Sequence, residues 1–383
     1  MGFLAGNMMK KLMTATVVFV ASIFSVWAKS ADNVVLVTLD GLRWQEVFSG
    51  ADKELINNSD FVENKDEITA LFWRENQAER TKALMPFFSQ TLTTQGVLIG
   101  DRSQGSLISV SNPWYFSYPG YSEILTGIVD ENIDSNDKIA NPNKTILEQL
   151  NTLPTFKGKT ALFGSWDVFP YIVNRKRSGV FVNAGFESFD AVNSAEVTLL
   201  NQLQTEIPSP WHNVRLDSFT YRFAKQYLLN KQPRLLVISL GETDDFAHNG
   251  KYDAYLKSAK QSDAFIRDLW QTIQQTPGYK DNTTLIITTD HGRGSHADDW
   301  QHHSSQRALA HSAQGKQRFP NGIVGSDHIW LAAIGPDIKA KGLIKPVSEL
   351  KQAQVAATIL TILGEQSTQI NPAMAAPIKE ILK

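Results

Sequence analysis

Residues 33–41 read N-V-V-L-V-T-L-D-G. The first seven are apolar or β-branched and show no alternation of polar and apolar positions. That is the signature of a strand buried on both faces, as in a parallel sheet. Working outward, similar runs recur at Arg234–Leu240 (R-L-L-V-I-S-L), Thr284–Thr289 (T-L-I-I-T-T) and Ile329–Ile334 (I-W-L-A-A-I), with a weaker one at Thr160–Phe163. Helical periodicity lies between them, over Lys82–Gln95, Lys144–Leu150, Leu216–Leu229, Ala254–Gln275 and Glu349–Leu363. Strands alternating with helices predict an α/β fold whose central, mostly parallel or mixed sheet carries helices on both faces. The polar segments Leu55–Thr81 and His302–Gly325 read as loops or insertions over that sheet.

The chain has 383 residues, 42% of them hydrophobic and 20% charged, with a formal net charge of -2. This gives no basic face for a nucleic-acid backbone. There is no cysteine, which excludes disulfides, thiolate metal sites and a thiol nucleophile. Lys10 and Lys11, the apolar run Leu12–Val26 and the small residue Ala28 read as a signal peptide over residues 1–28. The alternative is an uncleaved anchor. The mature chain, residues 29–383, is expected to be one α/β domain in the periplasm or outside the cell, with no further membrane segment; its oligomeric state is open.

In open α/β sheets ligands gather beyond the carboxyl ends of the strands. Asn33–Leu39 runs into Asp40-Gly41, Arg234–Leu240 into Gly241-Glu242-Thr243-Asp244 with His248 one turn on, and Thr284–Thr289 into Asp290-His291-Gly292. Seven of the eight histidines fall between His248 and His328. Each group alone has a plainer reading, as a turn, a helix pair or a capped loop. Together they suit a divalent cation held by carboxylate and imidazole, zinc first and manganese as the alternative. Residues 114–127 read W-Y-F-S-Y-P-G-Y-S-E-I-L-T-G. Pro119 suits the first turn of a helix, which places Ser117 just ahead of the N-terminus, where an anion is favoured. A serine there is either a helix cap or, with a cation to lower its proton affinity, a nucleophile.

In this order the motifs resemble the alkaline phosphatase superfamily, and within it the nucleotide pyrophosphatase/phosphodiesterase branch. The quoted segments are T-L-D-G-L-R, S-Y-P-G-Y-S-E-I-L-T-G, D-D-F-A-H and T-D-H-G-R-G, within about Asn33 to Pro336. The resemblance implies an alkaline-phosphatase-like fold and hydrolysis of a small-molecule phosphoester through a phosphoseryl intermediate on Ser117. It implies two divalent cations. Asp40, Asp290 and His291 would hold the one that also contacts Ser117. Asp244 and His248 would hold the other with a later histidine: His303, chosen on a W-x-x-H spacing from Trp300, with His302 and His328 as alternatives. His328 is disfavoured if the last strand is parallel, because it then starts at the edge of the sheet opposite the metals. The resemblance also suggests an asparagine on the phosphoryl oxygens, Asn136 or else Asn141.

Sulfatases share this fold, but in their C/S-x-P-x-R motif Tyr121 stands where the arginine belongs, and the first strand ends in a single Asp40. A non-catalytic secreted metal-binding protein is the remaining alternative. Monoester and diester are not separated by the sequence; Arg43 and Arg293 lie near strand ends without an evident role.

Overall fold

The computed structural model describes residues 31–383, so the expected signal peptide lies outside the described residues. Among the described residues there are ten strands: β1 (Asn33–Leu39), β2 (Val97–Ile99), β3 (Ile108–Ser109), β4 (Thr160–Gly164), β5 (Phe181–Ala184), β6 (Leu235–Leu240), β7 (Thr283–Thr288), β8 (Leu331–Ile334), β9 (Gly342–Leu343) and β10 (Leu350–Lys351). Eight form one sheet in the order β5-β4-β6-β1-β7-β8-β2-β9, and β10 pairs with β3 in a small second sheet. In the large sheet only β8 runs against its neighbours, β7 and β2. The expected mixed, mostly parallel sheet is therefore present.

The absence of alternation in β1 has the cause inferred from sequence. Val35, Val37 and Leu39 enter a core on one face, together with Leu236, Ile238, Leu285 and Ile287. Val34 and Leu36 enter the core on the other face with Leu235, Val237 and Ile286. Each such side chain, fully buried, stabilises the fold by roughly 1.5–3 kcal/mol. Helices Asp217–Lys231 and Tyr252–Gln275 supply the first core, and helices Ser117–Thr126 and Gln354–Ile362 the second.

Register is what positions the site. Leu39 lies beside Leu240, and Thr38 beside Thr288. The carboxyl ends of three adjacent strands are thus level, and Asp40, Gly241 and Asp290 follow almost side by side.

Several expectations need correction. The run Lys82–Gln95 is not one helix: helix Gln77–Leu84 ends before Met85-Pro86, and the chain resumes as a π-helical turn, Phe88–Leu92, and a short helix, Thr93–Gln95. Proline removes a backbone donor and pushes the residue before it out of the helical region. Of the two readings of residues 55–81, loop or insertion, the stretch is an insertion with structure of its own: helix Lys65–Phe72 and the start of helix Gln77–Leu84 lie there, each capped by an asparagine, Asn64 and Asn76. Glu349–Leu363 contains strand β10 ahead of helix Gln354–Ile362. The parallel placement considered for the last strand is also overturned. Leu331 of β8 lies beside Thr288 at the end of β7, so His328 is at the metal edge of the sheet.

Candidate active site

Ser117 is the first residue of helix Ser117–Thr126, not the residue before it, and the helix has no side-chain cap. Its hydroxyl faces inward instead, with Oγ 3.3 Å from Nε2 of His291. Two groups of side chains converge around it: Asp40, Asp290 and His291, all buried, and Asp244, His248 and His303. Within each group the nearest ligand atoms lie within 4.8 Å of one another. Nε2 of His291 is 3.4 Å from Asp40 Oδ1, 3.5 Å from Asp290 Oδ2 and 3.7 Å from Asp244 Oδ1, so Asp244 borders both groups. In the second group His248 Nε2 is 3.2 Å from Asp244 Oδ2 and 3.1 Å from His303 Nε2.

The imidazoles are oriented from behind. Nδ1 of His291 donates to Gly292 O at 2.9 Å, and Nδ1 of His303 donates to Tyr115 O at 3.1 Å. Those bonds put the free electron pairs on the two Nε2 atoms, which face the cluster. Tyr121, at the arginine position of sulfatases, donates its hydroxyl to Asp40 Oδ2 at 2.9 Å. Gly41 N–H donates to Asp290 Oδ1 at 3.1 Å. Gly120 is required by proximity, because a Cβ there would stand 2.5 Å from Asp290 O.

The electrostatics ask for cations. Burial, then the neighbouring Asp244, pushes Asp40 well above the usual carboxylate range, and burial, then Asp40, does the same to Asp290. Asp40 Oδ1 and Asp290 Oδ2 are buried without a hydrogen-bond partner, a costly state for a carboxylate. Burial drives His303 well below its usual range. Burial acts upward on Asp244 too, but Arg293 and then His248 outweigh it and hold that carboxyl low. Oxygen and imidazole donors with unpartnered electron pairs suit a divalent metal such as zinc, so the residues present fit the group the fold implies.

The expected residues Asp40, Ser117, Asp244, His248, Asp290, His291 and His303 are thus brought together. The asparagines separate: Asn136 borders the cavity in front of Ser117 and accepts from Tyr118 N at 2.9 Å. Asn141 is buried elsewhere, bonded to Ser122 and Asn143. His302 turns away and packs on Phe319 with ring centroids 5.4 Å apart. The His328 side chain pairs with Asp327 at 3.6 Å and belongs to neither group.

Sequence reasoning missed the residues that hold these in place. Glu123, buried in the nucleophile helix, accepts from Ser111 N, Asn112 N and Asn112 Nδ2. Asn112 in turn accepts from Trp114 N and Tyr115 N. Tyr115 has φ 60, a left-handed conformation costly for a tyrosine, two residues before Ser117. S-N-P-W-Y-F ahead of a helix signals a turn, but nothing in it singles out Asn112. Arg43 and Arg293 are both buried. Arg43 is paired with Glu46 and donates to Gly294 O at 3.0 Å. Arg293 holds the Asp244 carboxylate and donates to Asp244 O at 3.0 Å.

The cavity in front of Ser117 measures about 610 Å³ and opens past Asn136, Lys138, Trp166, Asp167, His212 and Asp245.

Solved structures share this architecture at low identity. Alkaline phosphatase PafA is 12% identical, covering 93% of this chain and 99% of its own, with a TM-score of 0.57. A protein of the alkaline phosphatase superfamily from Vibrio parahaemolyticus is 12% identical over 93% of this chain and 71% of its own, with a TM-score of 0.53. The phosphonate monoester hydrolase SpPMH from Silicibacter pomeroyi is 13% identical over 91% and 76%, also at 0.53. No curated protein sequence matches the chain. The fold is that of the alkaline phosphatase superfamily. A family model, type I phosphodiesterase / nucleotide pyrophosphatase, matches residues 126–362. The chain belongs to that family. The matched stretch contains Asn136, Asp244, His248, Asp290, His291 and His303, whereas Asp40 and Ser117 precede it.

Proposed function

We propose that this protein hydrolyses phosphodiesters, with Ser117 as nucleophile. The observation that carries the reading is the Ser117 hydroxyl, 3.3 Å from His291 of one group of potential metal ligands and lining the same cavity as Asp244 and His248 of the other. Asp40, Asp290 and His291 would hold one divalent cation and Asp244, His248 and His303 the other, zinc first and manganese second. Bound there, such cations supply Lewis acidity, lowering the proton affinity of the serine hydroxyl and offsetting charge on the phosphoryl oxygens.

The side chains do the rest. Ser117 Oγ attacks phosphorus, the bond to the leaving oxygen breaks, and the other ester group stays on the enzyme-bound phosphoryl. Water then cleaves the phosphoseryl bond and restores the hydroxyl. Asn136 is tied through Oδ1 to Tyr118 N, which leaves its amide nitrogen to donate to a phosphoryl oxygen in the cavity. Of the first amide groups of the helix, Tyr118 N–H is already taken by Asn136 and Pro119 has none.

Diester is preferred over monoester on charge. A monoester brings a second negative charge, and Lys138 is the sole lysine or arginine bordering the cavity. It is already bound to Asp167 at 2.7 Å. Arg43 and Arg293 are engaged within the protein.

Purified protein is expected to carry about two divalent ions per chain and to hydrolyse bis-p-nitrophenyl phosphate faster than p-nitrophenyl phosphate. Chelation abolishes turnover and zinc restores it. Ser117→Ala loses about 100-fold or more in kcat, on the scale of nucleophile deletions, while keeping its fold and metal. Turnover within a few-fold of wild type would reduce Ser117 to a structural role.

A further inference from the structure

Helix Glu242–His248 carries two of the three potential ligands of the second cation, Asp244 and His248. It has seven residues and starts one residue past the end of β6. The first amides of a helix have no partner within it, and the residue at the cap position here, Gly241, has no side chain to supply one. Asp217 supplies it from another element. Its carboxylate is buried and accepts from Gly241 N at 2.8 Å through Oδ1 and from Glu242 N at 3.1 Å through Oδ2. Glu242 returns a bond, its Oε1 accepting from Asp217 N at 2.9 Å. Ser165, just past the end of β4, donates its hydroxyl to Asp217 Oδ1 at 2.6 Å and fixes the carboxylate. The helix is pinned a second time by Thr243, whose hydroxyl donates to Asp40 O at 2.5 Å.

We infer that Asp217 is a positioning residue for the second cation: by holding the amides at the start of helix Glu242–His248, it sets where Asp244 and His248 present their ligand atoms. The inference rests on the two-cation reading above. Asp217 is the first residue of helix Asp217–Lys231, yet its carboxylate makes these bonds outside that helix, to the segments that follow β4 and β6. Asp244 N in turn donates to Gly241 O at 3.2 Å, so a shift at the helix start passes directly to a ligand. Removing a group that orients metal ligands typically costs about 10- to 100-fold in metal affinity.

The test titrates zinc into metal-free protein against a chromogenic chelator and follows hydrolysis of bis-p-nitrophenyl phosphate over the same zinc range. His248→Ala identifies which binding step belongs to the second group. Asp217→Asn keeps the size of the side chain but turns an acceptor into a donor that faces a donor. It is expected to weaken the second-group step by about 10- to 100-fold and to leave the other step unchanged. Turnover should return as zinc is raised, because every ligand is still present. Asp263→Asn is the comparison. It also alters a buried carboxylate that holds two backbone amides, Phe87 N and Phe88 N, and neither belongs to a ligand segment. It should bind both zinc ions as wild type does. Wild-type affinity at the second-group step in folded Asp217→Asn overturns the inference and leaves the two-cation reading intact. An equal loss of affinity in Asp263→Asn overturns the assignment to Asp217, since general loosening would then suffice. Should Asp217→Asn not fold, Ser165→Ala reads the same step through the loss of one hydroxyl: a weakening of a few-fold is expected, and no change overturns the inference. Wild-type protein that binds fewer than two zinc ions overturns the two-cation reading and the inference with it.

Discussion

At the scale of single residues, the sharpest question is which histidine completes the second group. His303 Nε2 lies 3.1 Å from His248 Nε2 and 3.8 Å from Asp244 Oδ1, whereas His328 pairs with Asp327. His303→Ala is therefore expected to lose one bound metal and most turnover, and His328→Ala to keep both; metal analysis of the two variants decides. The opposite pattern would reverse the assignment. The spacing W-x-x-H points to His303 from sequence, whereas the argument against His328 holds only for a parallel last strand, a condition that β8 does not meet. A six-residue apolar run reads the same in either strand direction, so sequence could not show that β8 is antiparallel. Residues at strand ends, Asp40, Asp244 and Asp290, were legible because a strand fixes where the next residue goes. Asp245, Trp166 and Asn112 were not, because only tertiary packing gives them a common cavity or loop.

At the scale of elements, Lys82–Gln95 reads as one helix from sequence, and its helical propensity hides a break at Pro86. The break is held by Asp263, which reaches across from helix Tyr252–Gln275. Its carboxylate accepts from Phe87 N at 2.9 Å and Phe88 N at 3.0 Å. Burial outweighs those two bonds and pushes its pKa up to about 6, against about 3.9 in an unfolded chain. Between those values the folded state binds more protons than the unfolded one. Stability from this group is therefore highest below about pH 4 and is lost as pH rises through about 6. Asp263→Asn, neutral at every pH, should cost more stability at pH 4.5 than at pH 7.5. Urea unfolding of both proteins at the two values measures this, and an equal cost at both would refute it. The long amphipathic helix carrying Asp263 was legible within two residues at its start, because its apolar stripe is continuous over many turns.

At the scale of the whole molecule, the carboxylates of Asp40 and Asp290 are a standing cost in the metal-free fold, buried with unpartnered oxygens. Cations that bind only the folded chain stabilise it by mass action. Chelation should lower the thermal midpoint, by roughly 1–2 °C for each 1 kcal/mol lost in a chain of this size. Asp290→Asn should then behave in two opposite ways: with metal supplied it melts below wild type, and with chelator it melts above it. Calorimetry on the four samples tests this; a variant that is less stable under both conditions would mean that the carboxylate serves packing alone. The sheet order behind this site was only partly legible. Five strands were found as apolar runs, but the three-residue β2 and four-residue β5 are too short to stand out from loop.

The level strand ends have one more consequence. Each set of donors is gathered from distant parts of the chain, one from Asp40 to His291 and the other from Asp244 to His303. A nascent chain halted before residue 290 contains neither set complete. On the two-cation reading, loading waits for synthesis through His291 for one set and His303 for the other, and each ion would then act as a reversible cross-link over a long span, where closing the loop removes the most entropy from the unfolded chain.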